Sequence, residues 1–250
     1  MNTSSANSIQ QLLARFEPIT LEEMDSVRLM RRVDTKFVVP ISMLPVLLEN
    51  ALTNYRMVEI GGRRDQPYET TYFDTHCYEM YRLHHNGKLN RYKIRLRSYK
   101  ISGQEFLEVK RKNNRGETIK TRIAQNGEGN NLSGKSNSVF LNKYTPYNHN
   151  QLQAVLGNSF IRLTLVSKQL DERITIDYNL SFSDLKHENQ LLAKGLCIVE
   201  IKRSRDSSPS PFIATLTNLR VNAMGFSKYC LGMAMLNPEV KNNLFRNRIR

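Results

Sequence analysis

Short stretches in which polar and hydrophobic residues alternate recur along most of the chain. A period of two places successive side chains on opposite faces of an extended strand, so each stretch predicts a β-strand. Eight such strands are predicted, which is enough to form a closed barrel. The eight predicted strands are DTKFVV (34–39), ETTYFDT (69–75), YKIRLRSY (92–99), EFLEVKRK (105–112), ETIKTRIA (117–124), FIRLTLV (160–166), RITIDYNLSF (173–182) and LCIVEIKR (196–203).

Hydrophobic residues at helical spacing predict several helices that pack outside this sheet. Residues 9–16 have the pattern of a short amphipathic helix. ISMLPVLLENAL (41–52) predicts another, with Ser42 as its cap and Pro45 tolerated in its first turn. The remaining predicted helices are HCYEMYRLHHNG (76–87), SPSPFIATLTNLR (208–220) and FSKYCLGMAML (226–236).

The length of the chain is compatible with one large domain, and we predict a single domain over 1–250. Its core is expected at about 28–236, after an N-terminal helical segment (1–27) and before a basic tail (237–250). Residues 124–138 (AQNGEGNNLSGKSNS) are rich in Gly, Asn and Ser, which predicts a surface loop between strands rather than a domain boundary.

Composition adds a strong positive charge to this picture. Lys and Arg outnumber Asp and Glu by 37 to 23, a formal net charge of +14, which favours an anionic partner such as nucleic acid, a phosphate-rich small molecule or an acidic membrane surface. The three cysteines lie far apart and match no zinc-ligand spacing. With no apolar run long enough to span a bilayer, we expect a soluble, cytoplasmic protein.

The charge concentrates on one face of several strands. In 92–99, Lys93, Arg95 and Arg97 share a face, while Ile94 and Leu96 point the other way. On one strand this pattern is typical of a solvated surface. The same alternation returns in 105–112, 117–124, 173–182 and 196–203. If the apolar faces pack under the helices, the charged faces line the inside of a curved sheet, which predicts a barrel with a basic interior.

Carboxylates among these cations have two readings. Glu108, Asp177 and Glu200 are either salt-bridge partners or oxygen ligands for Mg²⁺ or Mn²⁺, and for Glu200 we favour metal because hard divalent cations accompany polyphosphates. Asp74 could likewise supply a functional carboxylate or cap the helix that follows it. The converging cations suit a phosphate chain, because arginine binds its oxygens through bidentate hydrogen bonds and lysine pairs with them as a point charge.

Several of these segments together resemble a known family. In order and character they are similar to the VTC domain, the polyphosphate-polymerase branch of the triphosphate tunnel metalloenzymes, over roughly residues 28–236. The resemblance implies an α+β fold in which an eight-stranded antiparallel β-barrel, the triphosphate tunnel, has a basic interior and is surrounded by helices. The segments that carry it are RRVDTKFVV, TTYFDT, GKLNRYKIRLRSY, FLEVKRK, RITIDYNLSF, IVEIKR and GFSKYCLGM.

The resemblance also implies roles for individual residues. Glu200 resembles the metal-binding glutamate of the family, with Mn²⁺ or Mg²⁺ as cofactor. Ser227 and Lys228 resemble its Ser-Lys pair, and a helix beginning there favours an anion independently, although Ser227 could also be a plain cap. The implied phosphate-binding residues are Lys36, Arg95, Arg97, Lys110, Lys120, Arg162, Ser227 and Lys228, and further candidates on the same faces are Lys93, Glu108, Arg173, Asp177 and Lys202.

Two positions depart from the family pattern. Phe160 stands where the family has a tyrosine two residues before the Arg162 position, and Gly225 stands where the eukaryotic enzymes have a lysine. Each change removes a polar contact to substrate, which separates this chain from the eukaryotic polymerases.

Three functions fit these features. The first is a metal-dependent phosphotransferase that moves the terminal phosphoryl group of ATP onto a polyphosphate chain in the tunnel. The second is a tripolyphosphatase or nucleoside triphosphatase in which water is the acceptor, and the third is a non-catalytic polyphosphate binder. The expected partners are ATP, polyphosphate and pyrophosphate. Nucleic acid is disfavoured because the charged faces carry few aromatic residues for stacking, and a membrane-protein partner is left open.

Overall fold

The computed structural model describes residues 3–25, 32–125, 129, 132–204 and 208–246. Parts of predicted segments lie outside the described residues, among them the start of the core (28–31), the surface loop (126–128 and 130–131) and the end of the basic tail (247–250). The helices are α1 (Thr3–Ala14), α2 (Leu21–Asp25), α3 (Leu44–Ala51), α4 (Glu79–His85), α5 (Lys135–Tyr144), α6 (Pro211–Asn218), α7 (Lys228–Leu236) and α8 (Asn243–Arg246). The strands are β1 (Pro18–Ile19), β2 (Arg32–Pro40), β3 (Tyr55–Val58), β4 (Gln66–Thr75), β5 (Arg91–Tyr99), β6 (Gln104–Lys112), β7 (Thr118–Gln125), β8 (Leu152–Ser167), β9 (Glu172–Asp184), β10 (Gln190–Ala193) and β11 (Leu196–Ser204).

The strands form an antiparallel sheet of order β2-β11-β9-β8-β4-β5-β6-β7, with β1, β3 and β10 beside it. All eight predicted strands are present, and the α+β class is confirmed. The strands that alternation did not predict, β1, β3 and β10, are too short to show a period. Within the described residues no hydrogen-bonded ladder joins β2 to β7, so closure of the sheet into a barrel stays a prediction.

Contacts along the chain group into two compact units, and β8 and β9 contribute to both. The first unit comprises Met1–Pro67, Phe160–Leu180 and Ala193–Phe226. The second comprises Tyr68–Ser159, Ser181–Leu192 and Ser227–Arg250. The single domain expected over 1–250 stays a prediction.

The core of the first unit lies between helices and one face of its strands. The alternate residues of β9 and β11 that the sequence assigned to the apolar face, such as Ile176 and Val199, are fully buried there. Leu47 and Leu48 of α3 and Leu216 of α6 pack against them. Burial of these faces leaves the charged residues of the same strands on the opposite side of the sheet.

The second unit has its own core on the apolar face of β5 and β6. Ile94, Leu107 and Val109 are buried in it, as alternation predicted, together with Phe140 and Leu141 of α5. Because successive side chains point to opposite faces, this burial fixes Lys93, Arg95 and Arg97 on the other side.

Two hairpins set the register of β5, β6 and β7. Gly103 closes the first turn with φ of 67°, and Gly116 closes the second with φ of 79°, conformations that a side chain would strain. Asn113 accepts hydrogen bonds from the backbone N–H groups of Arg115 and Glu117 in the second turn, at 3.0 and 2.9 Å. The turn geometry therefore determines which residues of the three strands lie opposite one another.

Three details differ from the prediction. Ser42 does not cap α3: it lies in a 3₁₀ turn, Ile41–Met43, and the capping position is Met43, although Pro45 is in the first turn as predicted. Helix α5 begins at Lys135, inside the segment predicted as a loop, because Phe140 and Leu141 become buried and outweigh a polar, weakly helical sequence. Ile119, assigned to an apolar face, is exposed because β7 ends the strand order.

Candidate functional site

A row of lysines crosses the second unit. Lys93 of β5 lies directly opposite Lys110 of β6, and Lys110 lies directly opposite Lys120 of β7. Directly opposed residues in an antiparallel ladder share a face and stand close together, so like charges in these positions destabilise the sheet. The row is therefore a feature that the fold retains at a cost in stability.

The lysine row belongs to a larger positively charged surface, which we call the cationic face. Arg95 is opposite Glu108, and Arg97 is opposite Phe106 with its side chain buried. Within β5, β6 and β7, Glu108 is the one carboxylate on this face. Its cations are Arg91, Lys93, Arg95, Arg97, Lys110, Lys112, Lys120 and Arg122.

Glu108 lies at the centre of the cationic face and is 1% exposed. Arg95 approaches its Oε2 through Nε at 2.7 Å and Nη2 at 2.6 Å, and the Lys120 ammonium contacts its Oε1. Burial by itself would raise the pKa of Glu108, but Arg95, Arg97 and Lys120 outweigh it and lower the pKa to about 2. Both carboxylate oxygens are thus engaged by cations, and of its two readings Glu108 takes that of a salt-bridge partner.

Helix α7 begins beside the cationic face. Ser227 is its capping residue and accepts a hydrogen bond from the Cys230 backbone N–H at 3.2 Å. The same hydroxyl accepts a hydrogen bond from Lys93 Nζ at 2.9 Å. Burial lowers the pKa of Lys93 to about 8, with Lys110, Arg91 and Arg95 acting in the same direction. Ser227 is therefore a cap, and it also joins α7 to the lysine row.

Asp74 anchors the first turn of α7 from the other side. It is fully buried, caps α4 by accepting the N–H groups of Met80 and Tyr81 at 2.9 Å each, and accepts a hydrogen bond from the Tyr229 hydroxyl. The capping reading of Asp74 is therefore confirmed. Since Tyr229 is two residues after Ser227, this contact also positions the start of α7.

The charged face of the first unit is built differently. Glu200 of β11 lies opposite Lys36 of β2 and opposite Thr175 of β9. Lys36 Nζ is 2.8 Å from Glu200 Oε1, and the Lys202 ammonium contacts Oε2. Burial would raise the pKa of Glu200, but Lys202 and Lys36 hold it well below its usual range. Burial lowers the pKa of Lys202 to about 8 despite the nearby Glu200.

Arg162 of β8 forms a bidentate ion pair with Asp177 of β9. Its Nε and Nη2 lie 2.6 and 2.8 Å from the two carboxylate oxygens, and Asp177 is buried. The guanidinium also lies over the ring of Phe160, at 5.3 Å from the centroid. Phe160, which replaces the family tyrosine, thus packs against Arg162 and adds no hydroxyl.

Cations and carboxylates are nearly balanced on this second surface, which we call the mixed face. Opposite partners include Lys202 with Asp34 of β2 and with Arg173 of β9. Among the side chains that the structure describes, the cations of the mixed face are Lys36, Arg162, Arg173 and Lys202, and its carboxylates are Asp34, Asp177 and Glu200. The excess positive charge of the described strands therefore belongs to the cationic face of the second unit.

The mixed face offers oxygen ligands around Glu200. The Thr175 hydroxyl, on the residue opposite Glu200, is buried and has no hydrogen-bond partner among the described residues. In the same part of the chain no group of three or more His, Cys, Asp or Glu side chains is placed to hold a metal. Mg²⁺ and Mn²⁺ are often held by one or two carboxylates together with substrate phosphates. Both oxygens of Glu200 are held by Lys36 and Lys202, so a metal on Glu200 and Thr175 would have to displace an ammonium group, and this metal site stays a prediction.

The structure groups the candidate residues by unit. Lys93, Arg95, Arg97, Glu108, Lys110, Lys120, Ser227 and Lys228 belong to the second unit, and Lys36, Arg162, Arg173, Asp177, Glu200 and Lys202 belong to the first. Sequence reasoning placed Arg122 on its correct face without including it in the site. It missed Tyr72, which lies opposite Arg95, and Tyr229, because alternation gives no signal for partners on other elements.

Comparison with solved structures identifies the fold that carries these charged faces. The structure is similar to a candidate adenylate cyclase from Bacillus halodurans, with a TM-score of 0.50 and 14% identity over 79% of this chain and 94% of the other. It is also similar to a candidate adenylyl cyclase from Hippeastrum described with a dominant triphosphatase activity, with a TM-score of 0.51 and 12% identity over 84% and 99% of the two chains. The fold is the one that triphosphate tunnel proteins share.

Residues 31–237 match the VTC domain, and the chain belongs to that family. The match agrees closely with the resemblance over 28–236. No curated protein matches significantly. Among the described residues, no helix has the length and apolar character needed to cross a membrane.

Proposed function

We propose that the protein is a metal-dependent phosphotransferase that moves the terminal phosphoryl group of ATP onto a polyphosphate chain. Membership of the VTC domain family supports this proposal. The observation that carries it is the row Lys93, Lys110 and Lys120, whose directly opposed charges are relieved when a polyanion lies across them.

The proposed roles follow from the chemistry of each side chain. Arg95 and Arg97 present planar forks that suit non-bridging phosphate oxygens, while Lys110 and Lys120 act as point charges. Ser227 and Lys228 stand at the start of α7, where N–H groups and the helix dipole favour an anion. On the mixed face, Lys36, Arg162, Arg173 and Lys202 are proposed to bind phosphate as well.

Transfer breaks the bond between the β- and γ-phosphates of ATP and forms one to the terminal oxygen of the chain, with ADP as leaving group. Charge develops on oxygens in such a transition state, so positioned cations stabilise it. The acceptor oxygen of a polyphosphate is already ionised and requires no base. A Mg²⁺ or Mn²⁺ ion held by Glu200 and Thr175 would neutralise phosphate charge.

Hydrolysis is the second candidate, because the Hippeastrum protein of similar fold is described with triphosphatase activity. A hydrolase on this site should position a water beside a carboxylate such as Glu108 or Asp177. The pKa of Glu108 is lowered to about 2, and Asp177 is held by both prongs of Arg162. A carboxylate so engaged is a poor base, which favours transfer to phosphate over transfer to water.

The test is incubation of the purified protein with γ-labelled ATP and Mn²⁺, followed by separation of the products on a gel. We expect a ladder of polyphosphate, lost in Arg95→Ala/Arg97→Ala. Arg111→Ala/Arg115→Ala is the matched control, since it removes the same charge from exposed positions off the cationic face. Orthophosphate without a ladder would support the hydrolase, and binding of ATP and polyphosphate with no turnover would support a passive binder.

A further inference from the structure

Aromatic rings gather at one end of the cationic face. Tyr68 of β4 lies opposite Tyr99 of β5, with ring centroids 5.0 Å apart. Tyr99 also meets Phe106 of β6 edge-to-face at 5.7 Å. All three rings are partly exposed, whereas Phe73 and Phe140, on the opposite side of the second unit, are buried. We call Tyr68, Tyr99 and Phe106 the aromatic end.

Two arginines of the cationic face reach this aromatic end. The Arg97 guanidinium lies 5.7 Å from the Tyr68 centroid, and the Arg122 guanidinium lies 4.4 Å from the Phe106 centroid. Arg97 is also the last cation of β5 before Tyr99, two residues further on the same face. The cationic face is therefore continuous with the aromatic end, and Tyr99 joins the two along β5.

We propose that the aromatic end binds the base of a nucleotide whose phosphates lie along Arg97, Arg95 and the lysine row. The chemistry that recognises such a ligand has two parts: ring faces and guanidinium planes accept a planar base, and cations accept the phosphates. This inference rests on the proposed function, because it assigns the orientation of ATP on the cationic face.

The orientation follows from the order of residues along β5. With a rise of about 3.3 Å per residue, Lys93 lies about 13 Å along the strand from Arg97. The base is therefore at Tyr99, and the terminal phosphate points toward Lys93, Ser227 and the start of α7. An inorganic polyphosphate has no base and gains nothing from the aromatic end.

The test compares ATP with inorganic tripolyphosphate by titration calorimetry, so that turnover is not needed. In Tyr68→Leu/Tyr99→Leu we expect ATP affinity to fall about tenfold, the size of one stacked base, and tripolyphosphate affinity to change less than twofold. Tyr144→Leu is the matched control, since Tyr144 is an exposed tyrosine on α5 of the same unit. It should leave both affinities unchanged.

A second measurement uses the unaltered protein and does not depend on the folding of a variant. In saturation-transfer NMR with ATP, we expect the strongest transfer to the protons of the adenine ring. Equal loss of affinity for both ligands in the double variant, or absence of transfer to adenine, would overturn the proposal.

These outcomes separate the inference from the proposed function. Adenine-dependent binding without polymer would leave the base site standing while the phosphotransferase fails. Polymer formation, with equal loss of affinity for ATP and tripolyphosphate in the double variant, would support the phosphotransferase and overturn the base site.

Discussion

Lys93 and Ser227, distant in sequence, are joined by a hydrogen bond of 2.9 Å that links the lysine row to the first turn of α7. The same serine hydroxyl caps the helix. One side chain thus orders the helix start and holds a lysine in place at the candidate site, so a change at Ser227 has two separable effects.

Ser227→Ala should lower the free energy of unfolding by about 1 kcal/mol through loss of the cap. It should also weaken tripolyphosphate binding, because Lys93 loses its acceptor and the helix start loosens. Ser210→Ala is the matched control, since Ser210 caps α6 in the first unit and does not contact Lys93 in the described structure. We expect the control to lose stability and keep its affinity for tripolyphosphate, as measured by urea unfolding and calorimetry. Equal affinity in both variants would contradict the role given to Ser227.

Anion binding should weaken as pH rises through 8. Burial lowers the pKa of Lys93 and of Lys120 from 10.5 to about 8, so their charges are present below that pH and lost above it. Tripolyphosphate affinity should therefore fall by roughly tenfold between pH 7 and 9. Lys93→Arg/Lys120→Arg should flatten the profile, because arginine stays protonated over this range. The ionisation of the ligand is common to both proteins and cancels in the comparison.

Glu108→Gln should lower the free energy of unfolding by roughly 3 kcal/mol at pH 7, because it leaves Arg95 and Lys120 without their buried anion. The pKa of Glu108 is about 2 in the folded protein, against an ordinary value of 4.5 for a glutamate. Its contribution is thus present above pH 4.5 and lost as the pH falls toward 2. The difference between wild type and variant should shrink on acidification, whereas Glu69→Gln, in an exposed pair with Lys100, should show little difference at any pH.

Orthophosphate release by Glu108→Gln tests whether Glu108 positions a water for hydrolysis. If Glu108 positions a water, release should stop in the variant. A rate close to that of the wild type would remove Glu108 from such a role, which is the result we expect.

Gly232→Ala should destabilise the protein by about 1–3 kcal/mol although alanine is the better helix former. A Cβ at position 232 of α7 would stand 2.6 Å from Leu156 Cδ2 and 2.8 Å from Phe182 Cδ1. Gly195→Ala is the control, as a Cβ there meets nothing within 4 Å. Thermal unfolding of the two variants measures the difference, and equal midpoints would show that the neighbours of Gly232 yield without cost.

Glu200→Gln should abolish the gain in ATP affinity that Mn²⁺ provides. Without metal, the variant should bind ATP at least as tightly as the wild type, because a negative charge has been removed. Asp34→Asn, an exposed carboxylate of the mixed face, should keep the full response to Mn²⁺. Calorimetry with and without Mn²⁺ gives both quantities, and an undiminished response in Glu200→Gln would exclude it as the ligand.

Alternation of hydrophobic and polar residues predicted the principal strands and their faces because burial follows the two-residue period. Ile94 and Leu107 are in the core, and the side chains of Lys93 and Lys110 lie on the other face of the same strands. It could not give the partner of each residue. The pairing of Lys93 with Ser227, or of Asp74 with Tyr229, joins positions far apart in the chain and depends on how α7 packs. Helix α5 was missed for the same reason, since its stability comes from Phe140 and Leu141 rather than from local propensity.

The hairpin turns at Gly103 and Gly116 fix the strand register on which the cationic face depends. If β6 slipped by a single residue relative to its turns, Lys110 would exchange places with Val109, and one lysine would leave the row for the core. Insertions or deletions of one residue within β5, β6 or β7, or within the turn spanning 113–117 that sets the register of β6 and β7, should therefore be poorly tolerated. A scan of single-residue deletions across these strands and this turn, scored by soluble yield and tripolyphosphate binding, would measure that tolerance.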